Sequence, residues 1–184
     1  MRRWMIVAAG SAVLATTSPL AAQRPVSLGL AGGASFPEGD LSDGVKTGWH
    51  ALATIAVSTW MQPLGLRVDV AYNQFALSDE AKAALGTGGS ASQTVGSATL
   101  NFTYRLPMTN SPLSPYLISG LGAYRTGCSG DLECDAATHY GWNVGLGTKL
   151  YILGFRSFLE ARYHRTARGE SHVNYFPVTF GLMF

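Results

Sequence analysis

The chain has 184 residues, with thirteen Lys and Arg against eleven Asp and Glu, a net formal charge of +2 and 13% charged residues. A balance this close to neutral argues against a nucleic-acid-binding surface, which would need a basic patch. The length suits a single domain.

The N-terminus predicts a cleaved secretory signal peptide. Arg2 and Arg3 form a positive region, residues 5–15 are almost entirely apolar, and the small residues at 20–22 suit a cleavage site. The apolar run is shorter than the ~20 residues that a membrane-spanning helix needs. We expect residues 1–22 to be removed, so that residues 23–184 form one domain beginning at Gln23, with eleven basic and eleven acidic residues.

From residue 26 onward the chain alternates large apolar residues with small or polar ones, which is the two-residue period of β-strands. A helix over residues 47–66 is the main rival, but this stretch alternates better than it follows a helical stripe. Each alternating segment is close to the ~9–11 residues that a tilted strand needs to cross a bilayer. The pattern predicts eight strands, within residues 26–34, 49–60, 66–73, 97–105, 116–124, 140–150, 155–164 and 175–184. In 116–124 it does not decide which face points outward.

The connections between these segments alternate in length. Long loops at one end and short turns at the other are typical of an up-and-down barrel in an outer membrane. An even number of strands places both termini at the short-turn end, which would be periplasmic. The long connections are 37–46, 78–92 and 126–137, the short ones 61–64 and 152–154, and 107–114 is intermediate; 168–174 closes the series.

The polar faces of the strands carry the charges, whereas the apolar faces carry very few. A soluble β-barrel or sandwich would turn its apolar face inward and its charges outward. In water, the apolar exterior predicted here would exceed what soluble monomers expose, so lipid outside is the better interpretation. Aromatic residues near the strand ends fit interfacial belts, although Trp49 and Trp60 fall on opposite faces by parity. These aromatic residues are Trp49, Trp60, Tyr72, Tyr104, Tyr140, Trp142, Tyr163 and Phe184.

The last ten residues carry the most specific pattern. One face holds large apolar residues in step, while Pro177 on the other face removes a backbone donor. With these features the chain resembles the small eight-stranded outer-membrane β-barrels to which OmpX and the transmembrane domain of OmpA belong, over residues 23–184. The tail is similar to the signal read by the outer-membrane assembly machinery, with Phe176, Phe180, Leu182 and Phe184 as its residues. The resemblance implies a monomer integral to the bacterial outer membrane, whose partners are membrane lipid, lipopolysaccharide and that machinery.

The inward faces carry both signs of charge. Buried charge must be paired, so we predict an internal polar network that plugs the lumen. A narrow ion path is the alternative. The predicted network contains Arg67, Asp69, Asn101, Arg105, Asn143, Lys149, Glu160 and Arg162, with Arg156 also on the inward face.

Cys128 and Cys134 lie in a predicted long loop, and export of the chain favours a disulfide between them. Two cysteines alone are a poor zinc set, and the acidic loops match no calcium-binding spacing, so we predict no metal and no cofactor. Glu170, Ser171 and His172 offer a nucleophile and a base, but adjacent residues rarely meet in catalytic geometry. We predict no catalytic residues.

These features predict a structural or surface-interaction role carried by long extracellular loops. One alternative is a barrel enzyme that modifies lipid A, for which His139 or Ser171 would lie at the outer rim. The other alternative is a narrow channel for small solutes that depends on Arg105 or Glu160.

Overall fold

The computed structural model describes residues 26–58, 63–86, 91–108, 113–130, 134–152, 154–168 and 171–184. The predicted signal peptide, Trp60 and the loop carboxylates Asp131, Glu133 and Glu170 lie outside these ranges. Within them, no helix is long and apolar enough to span a membrane.

Eight antiparallel strands form a closed barrel in which each strand pairs with its sequence neighbour and β8 returns to β1. This confirms the eight-stranded up-and-down fold. The helix considered for residues 47–66 is wrong, because residues 48–58 and 64–66 lie in strands β2 and β3. The strands are β1 Val26–Glu38, β2 Gly48–Ser58, β3 Leu64–Ala76, β4 Ser92–Arg105, β5 Ser114–Ser129, β6 Ala137–Ile152, β7 Phe155–Arg168 and β8 Ser171–Met183.

The barrel has two distinct ends. The chain enters β1 and leaves β8 at one of them, which we name the termini end. The opposite end, which we name the loop end, carries the longest connection, residues 77–91, with the short helix α1 (Asp79–Leu85), and a 3₁₀ turn over Gly39–Leu41. The β3–β4 and β1–β2 connections are therefore the two longest at the loop end.

The other loop-end connections are shorter than the sequence predicts. β8 begins at Ser171, so residues 169 and 170 alone separate it from β7, and the expected loop 168–174 is wrong. The strands continue because Thr166 and Val173 pair across the ladder and both face inward, which extends the alternation past the predicted ends. Likewise, β5 and β6 reach Ser129 and Ala137 and leave a shorter connection than 126–137.

The wall follows the predicted parity. Outward positions hold exposed apolar side chains such as Leu30 (64% exposed), Leu121 (71%) and Leu146 (65%). The sequence left the facing of β5 undecided. In the structure, Tyr116 and Tyr124 are buried in the lumen, and the alternate positions of the strand, such as Leu121, point outward. An apolar exterior of this extent requires a hydrocarbon surrounding.

The loop end is closed by an apolar layer. Val45 in the β1–β2 connection forms an isolated β-bridge with Leu77 in the β3–β4 connection. The amide of Ser78 donates to the carbonyl of Gly44 at 2.9 Å. Ser78 also caps α1, because its Oγ accepts a hydrogen bond from the amide of Ala81. Below them lies a buried cluster that includes Leu41, Val45, Phe75, Val95, Tyr124, Val173 and Tyr175.

One ion pair ties these two loops together at the surface. Nζ of Lys46 donates to Oδ2 of Asp79 at 2.7 Å. This hydrogen bond and the charge of Lys46 lower the pKa of the Asp79 carboxyl. Both side chains are exposed, so the pair adds little to stability.

Candidate functional site in the barrel lumen

Four charged side chains meet in the middle of the lumen, each at most 5% exposed: Arg67 and Asp69 on β3, and Glu160 and Arg162 on β7. Nη2 of Arg67 donates to Oδ2 of Asp69 at 2.9 Å and, across the lumen, to Oε1 of Glu160 at 2.8 Å. Nη2 of Arg162 donates to Oδ2 of Asp69 at 2.6 Å, and its Nε donates to Glu160. Two positive and two negative charges therefore neutralise one another. We name this group the central quartet.

Neutral polar side chains extend the central quartet. The hydroxyl of Tyr116 donates to Oε2 of Glu160 at 2.6 Å, and Nδ2 of Asn101 donates to Oδ2 of Asp69 at 3.0 Å. Nδ2 of Asn143 then donates to Oδ1 of Asn101 at 2.9 Å. Because the four charges neutralise one another, this arrangement can block the lumen and is poorly suited to hold a mobile ion.

Glycines on the neighbouring strands make room for these long side chains. Gly145 pairs with Arg162 across the β6–β7 ladder, and a Cβ built on it would overlap the backbone of Ala161. Gly120 pairs with Asn101, and a Cβ there would collide with the Asn101 amide. The glycine-rich sequence of β5 and β6 therefore has a local physical reason.

A second polar layer lies between the central quartet and the loop end, and the sequence reasoning missed it. Oγ of Ser35 donates to Oδ1 of Asn73 at 2.8 Å and lies 3.0 Å from Nδ1 of His50. Nε2 of His50 lies 2.9 Å from Oγ1 of Thr179. Ser35 is fully buried, and His50 meets the Thr179 hydroxyl where the histidine of a hydrolase triad would meet a carboxylate. His50 occupies one of the alternating positions of β2 that face inward, and this alternation was the sequence signal that could have revealed it.

An aromatic stack continues this layer. His164 lies parallel to Tyr175 with ring centroids 4.8 Å apart, and its Nδ1 is 3.0 Å from the hydroxyl of Tyr124. Phe75 meets Tyr175 edge-on at 5.9 Å. His164 is buried in the lumen.

The structure does not bring Arg105 and Lys149 into the central quartet. They line a cavity of about 60 Å³ at the termini end, which we name the vestibule. Tyr116 and Phe158 form part of its wall; Nζ of Lys149 is 5.9 Å from the centroid of the Tyr116 ring. No ion pair within the described residues joins Arg105, Lys149 or Arg156 to a carboxylate.

The remaining candidates lie at the loop end or on the outer wall. Cys128 and Cys134 form a disulfide with their Cα atoms 5.7 Å apart, as the sequence predicts. His139 is partly buried near the start of β6, and its Nε2 has no hydrogen-bond partner among the described atoms. Among the described residues, no three His, Cys, Asp or Glu side chains come together as a metal site would require. Ser171 begins β8.

The residues assigned to the assembly signal lie along the outward face of β8 and at its end. Phe180 is exposed, and Phe176 and Leu182 are partly exposed. Phe184 closes the seam between the first and last strands, because its amide donates to the carbonyl of Leu28 at 2.7 Å and its oxygen accepts from the Leu28 amide at 3.2 Å. The tail therefore contributes an apolar stripe on the outer face and backbone hydrogen bonds between the last and first strands.

Comparisons with known proteins agree with this geometry. The model of the outer membrane protein beta-barrel domain family matches residues 6–184. Neisserial surface protein A (NspA) has a similar structure, with a TM-score of 0.63 and 15% sequence identity over 86% of this chain and 96% of that one. A major outer membrane protein from Thermus thermophilus gives a TM-score of 0.53 and 13% identity over 86% and 98%. Among curated proteins, no match is found. The chain therefore belongs to the outer membrane protein β-barrel domain family and is an integral protein of the bacterial outer membrane.

Proposed function

We propose that this protein is a non-conducting outer-membrane barrel with a structural or surface-interaction role, carried by its loop end. The observation that supports this most is the central quartet, in which four charged side chains form hydrogen bonds with one another inside the lumen. The apolar cluster above it adds a second barrier on the path toward the loop end. An eight-stranded barrel is only wide enough for its own side chains, which fits the same proposal.

The loop end is the surface that would meet other molecules. Outer-membrane barrels place short turns in the periplasm and longer loops outside, which makes the loop end extracellular and the termini end periplasmic. Two features shape the extracellular side: the helix α1, held by the Ser78 cap, and the Cys128–Cys134 disulfide. Ordered loops lose less conformational entropy when a partner binds.

The partners follow from the wall and the tail. Membrane lipid and lipopolysaccharide would contact the exposed apolar wall, and the assembly machinery would read the β8 tail. We propose that the protein acts as a monomer, because the closed ladder leaves no strand edge for a second copy to join.

Ion conduction across a planar lipid bilayer tests the sealed lumen. The folded wild-type protein should give no unitary current steps, and a Glu160→Ala variant that stays folded should give intermittent ones. Steady steps from the wild type that change with Arg105→Gln would overturn the proposal in favour of a narrow channel.

Activity on lipid A tests the enzymatic alternative. Incubation of the folded protein with radiolabelled lipid A should leave the lipid unchanged. Acylation or deacylation that is lost in His139→Ala or Ser171→Ala would replace our proposal with a lipid A-modifying enzyme.

A further inference from the structure

The vestibule collects positive charge that the protein does not neutralise. Arg105 and Lys149 line it, and Lys149 lies within electrostatic range of Arg67, Arg105 and Arg156. Arg67 is satisfied, because both carboxylates of the central quartet accept its hydrogen bonds. The other three side chains have no carboxylate within ion-pair distance among the described residues, and this includes the terminal carboxyl of Phe184.

The acidic residues are distributed unevenly between the two sets of strand connections. Of the eleven acidic residues, Asp69 and Glu160 belong to the central quartet. In the sequence, the other nine fall at or between the loop-side ends of consecutive strands. In the sequence, therefore, no acidic residue falls in a termini-end connection. The basic side chains at the vestibule repel one another, because like charges held close together do so. A bound anion would remove that repulsion.

The shape and chemistry of the vestibule favour a phosphate group. Its volume of about 60 Å³ would hold roughly four water molecules, which is room for a small oxyanion. Arg105 offers the planar fork that matches phosphate oxygens, and Lys149 adds a compact positive charge. The position also fits, because the vestibule opens at the barrel end that lies at the level of the periplasmic lipid headgroups.

We propose that the periplasmic vestibule is a phosphate-binding site whose ligands are Arg105 and Lys149. The phosphate comes either from an anionic lipid headgroup of the inner leaflet or from free phosphate in the periplasm. Both sources present the same oxygens to the same two side chains. The inference does not depend on whether the lumen conducts, since the vestibule lies on the periplasmic side of the central quartet.

The first arm of the test uses inorganic phosphate. The full folded chain in maltoside micelles, which contain no phosphate, is titrated and followed by the ³¹P line width. We expect saturable broadening in the wild type and at least about tenfold weaker binding in Arg105→Gln/Lys149→Gln, since two charge-assisted contacts are lost. The matched control is Arg125→Gln/Arg165→Gln, which removes the same charge from outward positions on the loop-side halves of β5 and β7 and should bind like the wild type.

The second arm uses phosphatidylglycerol added to the same micelles and counts the lipid molecules retained by native mass spectrometry. Retention that depends on Arg105 and Lys149, without saturable binding of free phosphate, identifies the lipid headgroup as the source. Binding in the first arm alone identifies free phosphate. Binding in neither arm, or equal binding by the Arg105→Gln/Lys149→Gln variant, overturns the proposal.

A charge-preserving variant separates binding from folding. Arg105→Lys/Lys149→Arg keeps both charges and one guanidinium in the vestibule, so it should bind phosphate more tightly than Arg105→Gln/Lys149→Gln. The different electrophoretic mobility of folded and boiled protein shows that each variant is folded. A folded charge-preserving variant that binds as weakly as the double Gln variant would also overturn the proposal.

Discussion

Removing the charge of Glu160 should destabilise the barrel more than any comparable surface change. Glu160 accepts hydrogen bonds from Arg67, Arg162 and Tyr116 and is 1% exposed. In Glu160→Gln, two buried guanidinium groups share the single carboxylate of Asp69, so the lumen carries an uncompensated positive charge. Breaking a buried pair in this way costs about 3–5 kcal/mol, and we expect the free energy of unfolding to fall by that amount.

A second variant isolates the electrostatic cause. Glu160→Gln combined with Arg162→Gln leaves one arginine facing one aspartate and restores a neutral lumen. We expect the double variant to recover at least half of the stability lost by Glu160→Gln, whereas independent contacts would give a larger loss than either single variant.

Reversible urea unfolding in phosphatidylcholine vesicles, followed by tryptophan emission and by gel mobility without boiling, measures both effects. Asp79→Asn is the control, because it removes a carboxylate from the exposed pair with Lys46 and should change nothing measurable. A loss below about 1 kcal/mol for Glu160→Gln would mean that water solvates the quartet, and the reasoning would be refuted.

Three further outcomes are expected. Deleting Phe184 should leave the chain unassembled in the periplasm, because the β1–β8 seam loses its last ladder pair; normal surface levels on a cell-surface assay would contradict this. Changing both Cys128 and Cys134 to Ser should lower the free energy of unfolding by about 2 kcal/mol while the barrel still assembles, and the same change under reducing conditions should have no effect. On intact cells, a membrane-impermeant amine reagent should label the wild type but not Lys46→Arg/Lys82→Arg, since the proposed orientation places Lys149 at the periplasmic end. Undiminished labelling of the variant would indicate the opposite orientation.

The architecture was predictable from the sequence because a barrel wall is governed by a local rule. In β3 and β7, the two-residue period alone separates inward Asp69 and Glu160 from outward Val70 and Leu159. Even the glycine-rich face of β6 could be assigned, since Tyr140, Trp142 and Leu146 stand on the other side. Strand ends were less predictable, because pairing such as that of Thr166 with Val173 depends on the partner strand.

The two-residue alternation does not predict the position of a side chain along the barrel axis, nor which side chain it meets across the lumen. Arg67 and Glu160 are 93 residues apart in sequence, and they meet because strand tilt and closure bring β3 and β7 face to face at one level. The same closure places Arg105 and Lys149 in the vestibule, although both face inward as Glu160 does. Outside β5, the sequence by itself determined which side of the wall the strand residues face, since that needs only alternation along one strand. The tertiary structure alone decided which inward charges pair and which stay unpaired, because that depends on the register around the whole closed ladder.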